Sequence, residues 1–183
     1  MSQSETRLCD AEGLEALLTT LADRIAAGRR PETPLRLVGI RTRGVPIARR
    51  LAGKLHEQLG GEVPVGAVDI TLYRDDLAQT NHWPLLRGTE IPFPVEGAEI
   101  VLVDDVLFTG RTVRAALNAI CDLGRPACVR LAVLVDRGGR EFPIRADYAG
   151  LEIVTASNER VVVRISPVDP IEEIARVPTG APR

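Results

Sequence analysis

One stretch constrains this chain more than any other: Val101-Leu-Val-Asp-Asp-Val-Leu-Phe-Thr-Gly-Arg-Thr-Val113. It begins as an apolar run without polar alternation, which is how a strand covered on both faces reads. Two adjacent carboxylates end that strand. The chain then turns through Thr109-Gly110-Arg111-Thr112 and enters a helical pattern with Val113, Ala116, Leu117 and Ile120 on one face. A buried strand feeding a helix through a short turn is part of a parallel α/β unit, and ligands in such sheets sit beyond the carboxyl ends of the strands.

The rest of the chain repeats this alternation. Leu14, Leu17, Leu18, Leu21 and Ile25 recur at helical spacing, so residues 10–28 are expected to form a helix, with Asp10 as N-cap and Gly28 at its end. Leu35–Ile40 reads as a strand, and residues 46–58 as a helix through Ile47, Leu51 and Leu55 that closes at Gly60-Gly61. Val65–Leu72, Ile100–Val103 and Val129–Val135 are further strands. Residues 73–97 have no period and carry Pro84, Pro92 and Pro94; a segment of that length is a functional loop or lid, or is disordered. Val161–Ile165 is expected to be a strand, Ile171–Ala175 a short helix, and Pro178–Arg183 a loose tail. Together these predict an α/β fold with a parallel sheet covered on both faces.

Composition narrows the function. Hydrophobic residues make up 45% and charged residues 26% of the 183, the balance of a globular chain with a core large enough to need no disulfide staple. No run approaches the roughly 18 apolar residues of a membrane span, and no basic start followed by an apolar block marks a secretory signal. Cys9, Cys121 and Cys128 form no C-x-x-C pair and read as small buried hydrophobes in a reducing compartment. Two histidines, His56 and His82, do not make a zinc site. Neither the phosphate-loop pattern nor the G-x-G-x-x-G fingerprint occurs, which sets aside phosphate-loop kinases and dinucleotide-binding dehydrogenases. The net charge of −2 argues against nonspecific nucleic-acid binding. Of 23 basic residues, 22 are Arg and one is Lys54.

The chemistry concentrates around the opening stretch. A Thr/Gly turn that opens a helix offers backbone N–H donors, two hydroxyls and the positive end of the helix dipole, all suited to a phosphate. Gly110 lets the backbone approach such an anion. Asp104 and Asp105, just ahead of that cradle, can accept hydrogen bonds from sugar hydroxyls or hold a hydrated Mg²⁺. Arg41-Thr42-Arg43-Gly44 also follows a strand and precedes a helix, a second place where backbone amides converge on an anion.

On these motifs the chain resembles the type I phosphoribosyltransferases and, more narrowly, the PyrR family, which combines uracil phosphoribosyltransferase activity with regulation of pyrimidine genes. The resemblance runs from about residue 35 to 165. It rests on Gly39-Ile-Arg-Thr-Arg-Gly44, Asp69-Ile-Thr-Leu-Tyr-Arg-Asp-Asp-Leu77, the Asp104–Thr112 string and Leu134-Val-Asp-Arg-Gly-Gly-Arg-Glu141, in that order. It implies a single domain over 1–183: a five-stranded parallel core at about 30–140, and a small hood from the N-terminal segment and about 141–170. The implied reaction joins uracil to 5-phosphoribosyl-1-diphosphate (PRPP), giving uridine monophosphate (UMP) and pyrophosphate, with Mg²⁺ spanning the diphosphate and ribose hydroxyls.

The resemblance also assigns residues. Asp104, Asp105, Val106, Leu107, Phe108, Thr109, Gly110, Arg111 and Thr112 form the PRPP segment, and Thr42, Arg43 and Gly44 bind the pyrophosphate. Arg43, Arg74, Asp104 and Asp105 are the catalytic candidates. Arg74, at the start of the aperiodic segment, would neutralise the leaving group, and Asp75 and Asp76 are read equally well as partners of Arg74. Arg87 would touch substrate, Arg137 would lie near the base or nucleotide, and Val161 would form a wall of the base pocket. His82 and Trp83 are read as loop packing. Phe108 stands where 6-oxopurine enzymes usually carry an Asp before Thr-Gly; it cannot move a proton, which favours a pyrimidine.

Further implications are a uridine-nucleotide-responsive leader-RNA contact, a homodimer or homotetramer, and a cytoplasmic setting. Arg140 and Arg145 match basic positions of the family. Asp23, where members often have His, and Leu151, where Lys is frequent, depart from it. Between Asp136 and Arg160, four Arg face five acidic residues. The alternatives are transfer to another base, such as a purine, or a PRPP- and UMP-binding regulator with little catalysis.

Overall fold

The computed structural model describes residues 5–73, 75 and 88–180. Arg74, Asp76, His82, Trp83 and Arg87 lie outside the described residues. The core is a five-stranded parallel sheet of β2 (Leu35–Ile40), β3 (Val65–Val68), β4 (Glu99–Leu107), β5 (Cys128–Asp136) and β6 (Tyr148–Glu152), in the order β3-β2-β4-β5-β6. β1 (Thr6–Cys9), β7 (Glu159–Arg164) and β8 (Glu173–Pro178) form a separate antiparallel sheet in the order β1-β8-β7.

The alternation of side chains along buried strands explains why the runs are apolar throughout. Leu37, Val101, Val103, Ala132 and Leu134 point to one face of the sheet and pack with α1 (Ala11–Gly28) and α2 (Gly44–Leu59). Their neighbours Val38, Ile40, Ile100, Leu102, Leu131 and Val133 point to the other face, against α3 (Arg111–Cys121). With both faces covered, successive side chains along these runs are apolar on either side of the sheet, so period two disappears.

The helices follow their sequence signals. Asp10 caps α1 by accepting a hydrogen bond from Gly13 N–H at 2.9 Å, and Leu14, Leu18, Leu21 and Ile25 are buried. α2 begins at Gly44, two residues before the expected start, and ends at Gly60 in the left-handed region.

The strand expected over 65–72 stops at Val68. Asp69 accepts hydrogen bonds from the Thr71 N–H and hydroxyl, and a 3-10 turn, Thr71–Tyr73, follows. Conversely β4 does not end before the carboxylates: Asp104 pairs with Val133, Val106 with Val135 and Leu107 with Asp136, so the strand carries both aspartates. Ile171–Ala175 is no helix. Ile174 and Ala175 are claimed by β7 on one side and β1 on the other, and antiparallel pairing overrides the local spacing. Pro178 ends β8 and is no part of a tail. β1 and β6 were not anticipated, and β6 puts residues 148–152 in the core sheet. Cys121 is exposed, and Cys9 and Cys128 are half-buried rather than fully inside. Among the described residues no helix is long and apolar enough to cross a membrane.

Candidate functional site

The carboxyl ends of β2 and β4 open into a cavity of about 470 Å³ that β7 faces from the other side. Thr42, Arg43, Asp104, Asp105, Val106 and Phe108 line it from the core, with Thr112 from the start of α3. Arg137 joins them beyond the end of β5, and Val161 from β7. Nine residues expected at the site, from four segments of the sequence, therefore share one space.

Each is held by local backbone logic. The turn from β2 into α2 lies flat on β4: a Cβ at Gly44 would come within 2.3 Å of the Val103 carbonyl oxygen, so only glycine fits. The Arg41–Thr42 peptide in that turn is cis. At the second turn Gly110 has φ +92 and caps α3 without any side-chain hydrogen bond. Thr109 Oγ accepts from Arg111 N–H at 3.3 Å. Among the described residues no hydrogen bond is made to the N–H groups of Thr112 and Val113, the donors an anion at this helix start would use.

The carboxylate pair is electrostatically loaded. Asp104 is only 7% exposed, and burial first, then the charge of Asp105, push its carboxyl well above the usual aspartate range. Asp105 is also raised by burial, while the Val106 N–H, donating at 2.9 Å, and the positive charge of Arg43 pull it back. Asp104 accepts from the Asp105 N–H at 3.0 Å. Among the described residues no cluster of three or more His, Cys, Asp or Glu could hold a metal, so the aspartates form a two-carboxylate set.

Arg137 lies over the Phe108 ring at 3.9 Å and donates to the Glu159 carbonyl at 3.1 Å. Its Nε is buried without a hydrogen-bond partner, and burial lowers its pKa. Arg43 donates from Nε and Nη2 to the two oxygens of Asp169, at 2.9 and 2.7 Å. Burial alone would raise Asp169, but the Arg43 hydrogen bonds, the Ile165 N–H and Arg43's charge bring it below the usual range.

Other expected residues sit elsewhere. Gly44 is buried under the turn, and Leu107 is in the core on the α3 face. Arg111 does not turn into the cavity. It pairs with Asp75 and Glu141 and stands over the Phe142 ring at 5.2 Å. Asp75 is thereby engaged by Arg111 and Arg114. Arg140 spends its guanidinium on the loop that carries it, donating to the carbonyls of Ile144, Phe108 and Gly138, each at 2.9 Å, and to Asp136. It is thus not displayed as an outward basic group, whereas Arg145 is exposed.

Sequence reasoning missed Asp169, Arg160 and Arg164, which also line the cavity. Asp169 lies in Pro167-Val-Asp-Pro170, which reads as an ordinary turn, and its partner is 126 positions away.

Comparison with known proteins gives a consistent picture. The phosphoribosyl transferase domain model matches residues 5–168. The chain is 51% identical over 180 residues to the "Bifunctional protein PyrR" of Pelotomaculum thermopropionicum, covering 98% of this chain and 99% of that one. It is 48% identical over 174 residues to the protein of the same name from Deinococcus deserti, covering 95% of each. Among solved structures, a hypoxanthine phosphoribosyltransferase from Trypanosoma cruzi in a ternary substrates complex superposes with TM-score 0.69 at 23% identity over 92% of both chains. An HGPRT-ase from Leishmania tarentolae in complex with GMP gives 0.67 at 20% identity, over 92% of this chain and 94% of that one. At such identities these two structures bear on the fold alone, which is the type I phosphoribosyltransferase fold.

Proposed function

The chain belongs to the PyrR family of phosphoribosyl transferase domain proteins, and from that premise we propose that it transfers the phosphoribosyl group of PRPP to uracil and acts as a uridine-nucleotide-responsive regulator of pyrimidine genes. One observation carries the enzyme reading: buried Asp104, half-buried Asp105 and Arg43 converge on a single cavity. That arrangement suits a substrate that is a sugar at its centre and a polyphosphate at one end.

Bond breaking at the anomeric carbon leaves positive charge on the ribose and negative charge on the departing pyrophosphate. Thr42, Arg43 and Gly44 would receive the pyrophosphate, together with Arg74, and Arg87 would touch the substrate. The Thr109–Thr112 turn would take the 5-phosphate on free N–H groups and hydroxyls. Asp104 and Asp105 would accept from the ribose hydroxyls. Two carboxylates fit Mg²⁺, which takes one or two protein carboxylates and completes its shell with water and substrate oxygens; it would neutralise the pyrophosphate. Phe108, Arg137 and Val161 would bound the base. Arg137 is a pure donor, which suits a base edged with carbonyl oxygens. Phe108 supplies a flat apolar surface and no proton relay, which supports a pyrimidine over a purine.

The test is a panel of free bases with PRPP and Mg²⁺, read as nucleotide and pyrophosphate formed. Uracil should be the preferred acceptor; a purine preference, or no turnover with any base, would overturn the reading. For regulation, a gel-shift with pyrimidine leader RNA should show binding that depends on UMP. Arg145, exposed, supports that contact better than Arg140, whose guanidinium is spent within its own loop. No affinity at low salt would reject the RNA reading, since phosphate contacts are strongest there. We also propose a homodimer or homotetramer, to be checked by light scattering, and a cytoplasmic setting where PRPP and free bases are at hand.

A further inference from the structure

We infer that Asp169 is a positioning residue for Arg43, holding its guanidinium in place to receive pyrophosphate; the inference rests on the pyrophosphate site proposed above.

The pairing is side-on. Asp169 takes the Nε–H and one N–H of Nη2, at 2.9 and 2.7 Å. The guanidinium carries five N–H groups, and the other three, two on Nη1 and one on Nη2, have no hydrogen-bond partner among the described residues. One side of the fork is therefore occupied while its end stays available, on a residue that lines the cavity. A planar guanidinium can serve two anions in this way, and the first fixes the plane for the second.

Asp169 is itself fixed. Its Oδ2 accepts from the Ile165 N–H at 2.9 Å, and the Asp169 and Val168 N–H groups both donate to the Ile165 carbonyl. The turn after β7 is thus wound around the carboxylate. It is pinned to α2 a second time, where Arg50 donates to Glu172 at 2.8 Å. Arg43 stands at the N-cap of α2, and among the described residues no side chain of that helix hydrogen-bonds to its guanidinium to orient it. The small sheet, through Asp169, does so from across the cavity. An unpaired Arg43 would sample many rotamers and lose that entropy again on meeting its substrate.

The test compares wild type, Asp169→Asn, Asp169→Ala and Arg43→Ala, alone and combined, in steady-state assays with uracil and PRPP, with inorganic pyrophosphate as product inhibitor. Asp169→Asn keeps an oxygen for the Ile165 N–H but weakens the ion pair, so it separates turn stability from Arg43 orientation. Expected in Asp169→Asn are a KM for PRPP and an inhibition constant for pyrophosphate that both rise about tenfold, with KM for uracil and melting temperature little changed. Asp169→Asn should add little further loss to Arg43→Ala. Unchanged PRPP and pyrophosphate constants, tighter pyrophosphate binding, or equal loss for both substrates would each overturn the assignment. A wild-type protein that neither turns over PRPP nor binds pyrophosphate would instead overturn the underlying site reading, and the inference with it.

Discussion

The guanidinium carbon of Arg137 lies over the ring of Phe108, 3.9 Å from its centroid, and both side chains line the cavity. Stacking of a partly desolvated Arg on an aromatic ring is worth up to about 2 kcal/mol, and a lysine cannot reproduce it. Arg137→Lys should therefore raise the KM for uracil about tenfold and leave the KM for PRPP near wild type. Phe108→Leu should move the same constant in the same direction by a smaller factor. Equal effects on both substrates would detach the pair from the base.

Arg43 faces the cavity beside Asp105, and Arg74 is assigned to the same leaving group by sequence resemblance. Losing one donor to developing negative charge costs roughly 3 kcal/mol of barrier. Arg43→Ala and Arg74→Ala should each lower turnover at least about a hundredfold, with circular dichroism showing the fold retained. A near-normal rate in either variant removes that residue from the mechanism.

Arg111 gives the contrasting case. Its pairs with Asp75 and Glu141 are about half exposed, and exposed pairs contribute about 1 kcal/mol or less. Arg111→Ala should cost less than about tenfold in kcat/KM, far less than Arg43→Ala. A loss as large as that of Arg43→Ala would return Arg111 to the phosphate.

The contrast shows where sequence reading succeeds. The carboxylate pair and the two turns were legible because contiguous motifs encode them: strand, small residues, helix. The expectation of a helix over 171–175 fails because Ile171, Ile174 and Ala175 have helical spacing, while the pairing that decides their state comes from the preceding strand β7 and from β1 at the other end of the sequence. Asp169 was invisible for the same reason. The Arg excess has a similar lesson. Arg43, Arg50, Arg130, Arg140 and Arg164 all form ion pairs with carboxylates within the fold, so many forks tie segments together instead of meeting an external anion. Composition reveals such forks without revealing their direction.

Asp104 predicts a trade between stability and function. In the ligand-free, chelator-treated protein, burial and the adjacent Asp105 make its carboxyl hold a proton above the ordinary aspartate range. The unfolded chain gives up that proton near pH 4. Above that pH the folded state binds more protons than the unfolded one, so this group's contribution to stability falls as pH rises, until the folded carboxyl also ionises. Asp104→Asn removes the ionisation and retains an oxygen for the Asp105 N–H. The variant should melt higher at neutral pH, by about 1 kcal/mol of stability or roughly 2–4 °C for a chain of this size. It should show a shallower decline in melting temperature between pH 4 and 8, and it should lose nearly all activity. A variant that melts lower than wild type across that range would mean that Asp104 is a structural carboxylate rather than one kept, at a cost to the fold, for its substrate.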